Sequence, residues 1–155
     1  MNLEFKQFQK KYYSEYAAWF TDYELNRRLG PMDYDWLDAV LSELESESVT
    51  WAVFRGAELV AVVETAFALQ NRSSAVIAAV ATKPALRRQG IGTAVLRHLL
   101  ALHKSRGIAE HIAYISIDNP AARRFMEKAG FVSVTSEPDE HGYVEFRQRQ
   151  GTADV

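Results

Sequence analysis

Apolar side chains recur every three or four residues between Ser14 and Leu29, with Tyr16, Trp19, Phe20 and Tyr23 falling on one side. This spacing predicts an amphipathic helix, and Gly30-Pro31 ends it. A second helix is predicted from Asp33 or Tyr34 to Glu45, with Trp36, Leu37, Val40, Leu41 and Leu44 on one side. A short strand, Leu3 to Phe8, is expected before them. The period then changes. Val49 to Arg55 and Glu58 to Leu69 read as strands joined at Gly56-Ala57, and Asn71-Arg72-Ser73-Ser74 reads as a turn. Ala75 to Thr82 is almost wholly apolar, as in a strand covered on both faces. A helix to about Lys104 follows, closed by Gly107. Ile112 to Ile117 reads as another buried strand. Asp118-Asn119-Pro120 then opens a helix ending at Ala129-Gly130, with Asn119 suited to the N-cap and Pro120 to the first helical position. Phe131 to Thr135 and Tyr143 to Arg149 make a final hairpin around Ser136 to Gly142.

The order of elements defines an α/β fold: a mixed, twisted sheet, largely antiparallel at its ends, flanked by helices. Two central strands, each followed by a helix, bracket the expected ligand cleft. The 155 residues show no repeat or linker and fit one domain, 1–155. Cysteine is absent, which excludes disulfides, zinc–thiolate sites and cysteine nucleophiles and fits a cytoplasmic setting. A net charge of −2 gives no reason to expect nucleic-acid binding. The start, MNLEFKQFQKKYY, lacks the apolar core of a signal peptide, and no apolar run approaches the roughly 20 residues of a membrane span. His98, His103, His111 and His141 are scattered without carboxylates at ligand spacing, so they are expected at the surface and no metal site is expected.

Between the apolar strand and the next helix lies Arg87-Arg88-Gln89-Gly90-Ile91-Gly92. A basic, glycine-containing turn leading into a helix presents several unpaired N–H groups in one direction. Without Cβ atoms, Gly90 and Gly92 let a ligand approach the backbone, and the helix start adds partial positive charge. Together these suit a phosphate or pyrophosphate. The alternative for this stretch is a simple turn.

Two separated motifs resemble those of the GNAT superfamily of N-acetyltransferases. Val80-Ala81-Thr82-Lys83-Pro84-Ala85-Leu86-Arg87-Arg88-Gln89-Gly90-Ile91-Gly92 resembles the acyl-CoA-binding motif. Asn119-Pro120-Ala121-Ala122-Arg123-Arg124-Phe125-Met126-Glu127-Lys128-Ala129-Gly130-Phe131 resembles the closing signature. The resemblance implies a GNAT-like fold and acetyl-CoA as acyl donor. It implies that Val80, Ala81 and Thr82 pair with the pantetheine arm through backbone groups, and that one N–H there polarises the thioester carbonyl. It further implies that Arg87, Arg88, Gln89, Gly90, Ile91 and Gly92 cradle the pyrophosphate, with Thr93 adding its N–H or hydroxyl. Asn119 would hydrogen-bond the pantetheine or start its helix, and Phe125 would pack near the arm. The reaction implied is transfer of acetyl from acetyl-CoA to a primary amine. Many relatives dimerise through their last strands, and the alternation in Tyr143 to Arg149 permits a homodimer.

The sequence departs from that pattern where proton transfer is concerned. The position after Phe125, a tyrosine in the family, is Met126, which has no proton to give. Tyr143, or Tyr114, is the substitute considered. For a base, Glu64 breaks the apolar run of its strand, and an acid inside a strand attracts interest; its alternative is a surface or salt-bridged residue. Asp118, at the end of a strand, is second, its alternative being a helix-start carboxylate. Asp22, Glu24, Asp33 and Asp35 among aromatic rings would suit a cationic amine. A non-catalytic acyl-CoA-binding module is the rival reading.

Overall fold

A computed structural model describes residues 1–68 and 71–149. Seven strands form one sheet: β1 (Glu4–Gln7), β2 (Ser48–Arg55), β3 (Glu58–Ala68), β4 (Asn71–Thr82), β5 (Glu110–Ser116), β6 (Val132–Ser133) and β7 (Tyr143–Arg149). Their order is β1-β2-β3-β4-β5-β7-β6. Neighbours are antiparallel except β4 and β5, which are parallel. The helices are α1 (Tyr13–Ala18), α2 (Tyr23–Leu29), α3 (Tyr34–Leu41), α4 (Ile91–Ser105) and α5 (Pro120–Lys128).

Alternate residues of a strand point to opposite faces, and β2 shows this directly. Val53 joins a core with Val95, Leu96 and Leu99 of α4, Met126 of α5, and Phe131 and Phe146. Ala52 and Phe54 join a second core with Tyr16 of α1, Trp19 and Phe20 of the turn that follows it, Leu25 of α2, and Leu37 and Val40 of α3. The aromatic residues of this second core meet mostly edge to face: Tyr16 touches Trp19, Phe20 and Phe8 in that manner. Such contacts add to the burial of the rings.

Several expected elements differ. The helix expected from Ser14 to Leu29 is divided. A 3₁₀ turn at Trp19–Thr21 leads to Asp22, whose extended backbone (ψ 126°) interrupts it and whose side chain accepts from Leu25 N–H. A cap acceptor inside an apolar period restarts the helix. α3 stops at Ser42, whose Oγ donates to the Asp38 carbonyl, so Leu41 and Leu44 lie exposed. Asn71–Ser74 is the start of β4, not a separate turn; Asn71 Oδ1 still accepts from Ser73 N–H. Leu69, the expected end of β3, lies outside the described residues. His103 and His111 are not surface residues. They are about 1% and 0% exposed, stacked 3° from parallel, with Nδ1 of His103 2.7 Å from Nε2 of His111.

Candidate active site

The site arises from a break in pairing. β4 and β5 are matched only over Ser74–Val76 with Glu110–Ile112. Just beyond, the register between β3 and β4 slips: Glu64 faces Ala79 and Thr65 faces Ile77, leaving Ala78 as the extra residue. A bulge bends its strand and increases the local twist. β4 turns away from β5, and a cleft of about 970 Å³ opens between them. This is why the apolar strand Ala75–Thr82 is not covered on both faces: Ala78 is exposed, and Ala79 and Val80 are half-buried along the cleft. Tyr114 of β5, also expected in a buried strand, is exposed on its other wall.

One end of the cleft is the start of α4. Gly90 is its N-cap, with φ +77° in the left-handed region, and no side chain caps this helix. Asp22, Asp33 and Asn119 each cap theirs. The first intrahelical bond runs from Ala94 N–H to the Gly90 carbonyl at 3.0 Å, so the preceding amides have no carbonyl one turn back. A Cβ at Gly90 would meet nothing within 4 Å, whereas one at Gly92 would lie 3.2 Å from Phe125 Cε1 and 3.4 Å from Thr82 Oγ1. The two glycines therefore do different work. Gly90 supplies the backbone angle beside open space; Gly92 lets α4, β4 and α5 converge. Arg88 also holds a left-handed φ of 65°, a strained state for a side-chain-bearing residue.

Of the residues singled out from sequence, Val80, Thr82, Arg87, Arg88, Gly90, Ile91, Gly92, Thr93, Asp118, Asn119, Phe125 and Tyr143 line this cleft. Ala81 does not: it is buried against the first three helices. Gln89 is exposed in the turn. Met126 lies in the core and lines the cleft floor. Glu64 lies beside the cleft rather than in it, half-buried on the face covered by α1–α3. Burial pushes its carboxyl above the usual range, opposed by a hydrogen bond from Trp36. The walls also include Leu25, Arg27 and Arg28 of α2, which sequence reading missed. Their only signal is a Glu24–Arg27–Arg28 spacing that any solvated helix face can show.

The charges are locally matched. Asp118 accepts from Ser116 Oγ at 2.6 Å and Arg28 Nη1 at 2.8 Å. These bonds, the serine's foremost, hold its carboxyl below the usual range. Arg87 donates both arms to Asp22, which lowers that carboxyl to about 2. Glu24 pairs with Arg27 at 3.2 Å, and Asp33 caps α3. Three of the four carboxylates considered for a cationic amine are thus already engaged. At the far end of the sheet β7 pairs along its length with β5, and β6 covers Phe146 and Arg147, so the outer edge there is β6.

β4 and β5 splay apart, with a bare helix start at the mouth of the cleft between them. The model of the acetyltransferase (GNAT) family matches residues 6–131, and the chain belongs to that family. No curated protein matches it in sequence. Among solved structures it is similar to an acetyltransferase from Thermus thermophilus, at 16% identity and a TM-score of 0.81 over 96% of this chain and 97% of that one. It is similar to the ribosomal-protein-S18-alanine N-acetyltransferase of Escherichia coli, at 20% identity and 0.69 over 96% and 94%. An aminoglycoside acetyltransferase in complex with coenzyme A gives 15% identity and 0.79 over 96% and 95%. At these identities the likeness is one of fold. Among the described residues no group of three or more His, Asp or Glu is arranged to hold a metal ion, and no helix is long and apolar enough to cross a membrane.

Proposed function

We propose that this protein is an N-acetyltransferase that moves the acetyl group of acetyl-CoA onto a primary amine of a small molecule or protein. The observation that carries this reading is the gap between β4 and β5 past Val76, ending at a helix start that no side chain caps. An extended thioester arm laid beside Val80–Thr82 meets main-chain groups that β5 leaves unmatched, much as an added strand would. One N–H there polarises the acetyl carbonyl. The diphosphate rests on the amides from Gly90 to Thr93, where backbone donors and the helix dipole act together, with Arg87 and Arg88 adding charge. Asn119 and Phe125 flank the arm.

In the reaction the amine nitrogen attacks the acetyl carbon; the C–N bond forms and the C–S bond breaks. One proton leaves the nitrogen and one reaches the departing sulfur. Holding the two reactants together supplies much of the acceleration. Glu64 accepts the first proton through water, since burial raises its basicity and it stands across from Ala79 at the cleft's edge. Asp118 is the weaker candidate, being held ionised by its partners. Tyr143, on the cleft wall, gives the second proton. Incubation with acetyl-CoA and a panel of primary amines, followed by assay of free thiol, tests this. At least one amine is expected to release CoA stoichiometrically with its acetylated product. Tight CoA binding with no turnover across a broad panel would contradict transfer and favour a non-catalytic acyl-CoA sensor, the reading that Met126, with no proton to give, supports.

A further inference from the structure

α2 borders the cleft, and each of its ends is tied to a different lip. At its start Asp22 receives both arms of Arg87, Nη1 to Oδ1 at 2.9 Å and Nη2 to Oδ2 at 2.6 Å. At its end Arg28 donates to Oδ1 of Asp118 at 2.8 Å and to the Asp118 carbonyl at 3.1 Å. Arg87 belongs to the connection after β4, and Asp118 to the connection after β5. The helix therefore bridges the two strands that the bulge forces apart. An arginine gripping a carboxylate with two parallel N–H bonds uses the same fork with which it grips a phosphate. While Asp22 holds both arms of Arg87, that fork is closed to any other anion. Asp22 has a second task independent of Arg87, since its Oδ2 also accepts from Leu25 N–H at 3.0 Å. Breaking the arginine pair therefore leaves the helix cap in place.

We propose that Asp22, from just outside the cleft, holds the Arg87 fork away from a donor phosphate, so that acetyl-CoA binds as Arg87 exchanges this carboxylate for the diphosphate. The inference rests on the cleft being the coenzyme A site. It makes Asp22 a determinant of donor affinity: the carboxylate opposes every donor that carries the diphosphate, and does so only through Arg87. The side chains of Arg87 and Asp22 are 45% and 26% exposed, so solvent already weakens the pair and the exchange is easy. The Arg28–Asp118 tie keeps the far end of α2 on its lip while the near end lets go.

Calorimetric titration of CoA into the full chain tests this with Asp22→Asn, Arg87→Gln and the double variant. Asparagine retains a cap acceptor and loses the charge. Asp22→Asn is expected to tighten CoA binding about two- to fivefold, the range set by an exposed ion pair. Arg87→Gln is expected to weaken it, and Asp22→Asn to change nothing further in that background. Asp22→Ser, another uncharged capping residue, replaces asparagine should the latter disturb folding. Affinity that is unchanged or reduced by both neutral variants overturns the exchange, and so does a gain that persists without Arg87. A wild-type chain with no affinity for CoA would instead bring down the reading of the cleft on which the exchange depends.

Discussion

Glu64 sits where burial opposes ionisation, among Trp36 and Tyr16 on the helix-covered face of β3. Its protonated form is favoured in the folded chain, so as a base it becomes competent only above the ordinary carboxylate range. Glu64→Gln is expected to lower kcat by about 10²-fold or more and to remove the acidic limb of the kcat–pH profile. A variant that retains that limb would place the base elsewhere. The sequence exposed Glu64 because a carboxylate stood in an apolar run; it could not reveal the flanking bulge that sets it beside the cleft. The two buried histidines gave no such signal, since a helix position and a strand position eight residues later meet only once the sheet forms. Burial lowers both from 6.5 to about 4, and their ring nitrogens share one hydrogen bond, which protonating both would replace with two opposed N–H groups. Between those values the unfolded chain binds more protons than the folded one. Stability is therefore full well above pH 6.5 and falls as the pH drops toward 4, by roughly 3–6 kcal/mol for the pair. Urea unfolding from pH 7 to 4.5 measures this, and a flat profile would contradict it.

At the scale of elements, the glycine turn and the Asn119-Pro120 helix start were legible because each depends on local chemistry: a left-handed angle, a bare amide, a side-chain cap. α2 was hidden within a longer apolar period. What separates it is Asp22, whose cap acts locally but whose pairing with Arg87 reaches 65 residues along the chain. The bulge at Ala78 was likewise invisible, because alanines satisfy a strand period in either register. The role of Gly92 also changes once the elements are assembled. A methyl group there presses on Phe125 and Thr82 rather than on open solvent. Gly92→Ala is expected to cost about 1–3 kcal/mol through overpacking and to weaken CoA binding by moving Phe125 at the cleft wall. Thermal unfolding together with a CoA titration checks both, and unchanged values for each would show that α4 and α5 do not converge in this way.

For the molecule as a whole, the order of strands and helices was readable, because alternating periods and turn residues mark each element in turn. The cleft itself was not, since it is a property of where β4 and β5 stop pairing. Two cores on opposite faces hold the sheet, yet neither fills the space past Val76, which the small side chains of Ala78 and Ala79 line. The fold thus leaves a cleft where strand contacts are missing, and on the proposed reading an extended, amide-bearing arm followed by a diphosphate would complete it. A crystal structure of the protein with CoA tests this most directly. Pantetheine is expected between β4 and β5 beside Val80–Thr82, with the diphosphate on the amides of Gly90 to Thr93. CoA bound elsewhere, or those amides turned from it and bonded within the protein, would contradict it.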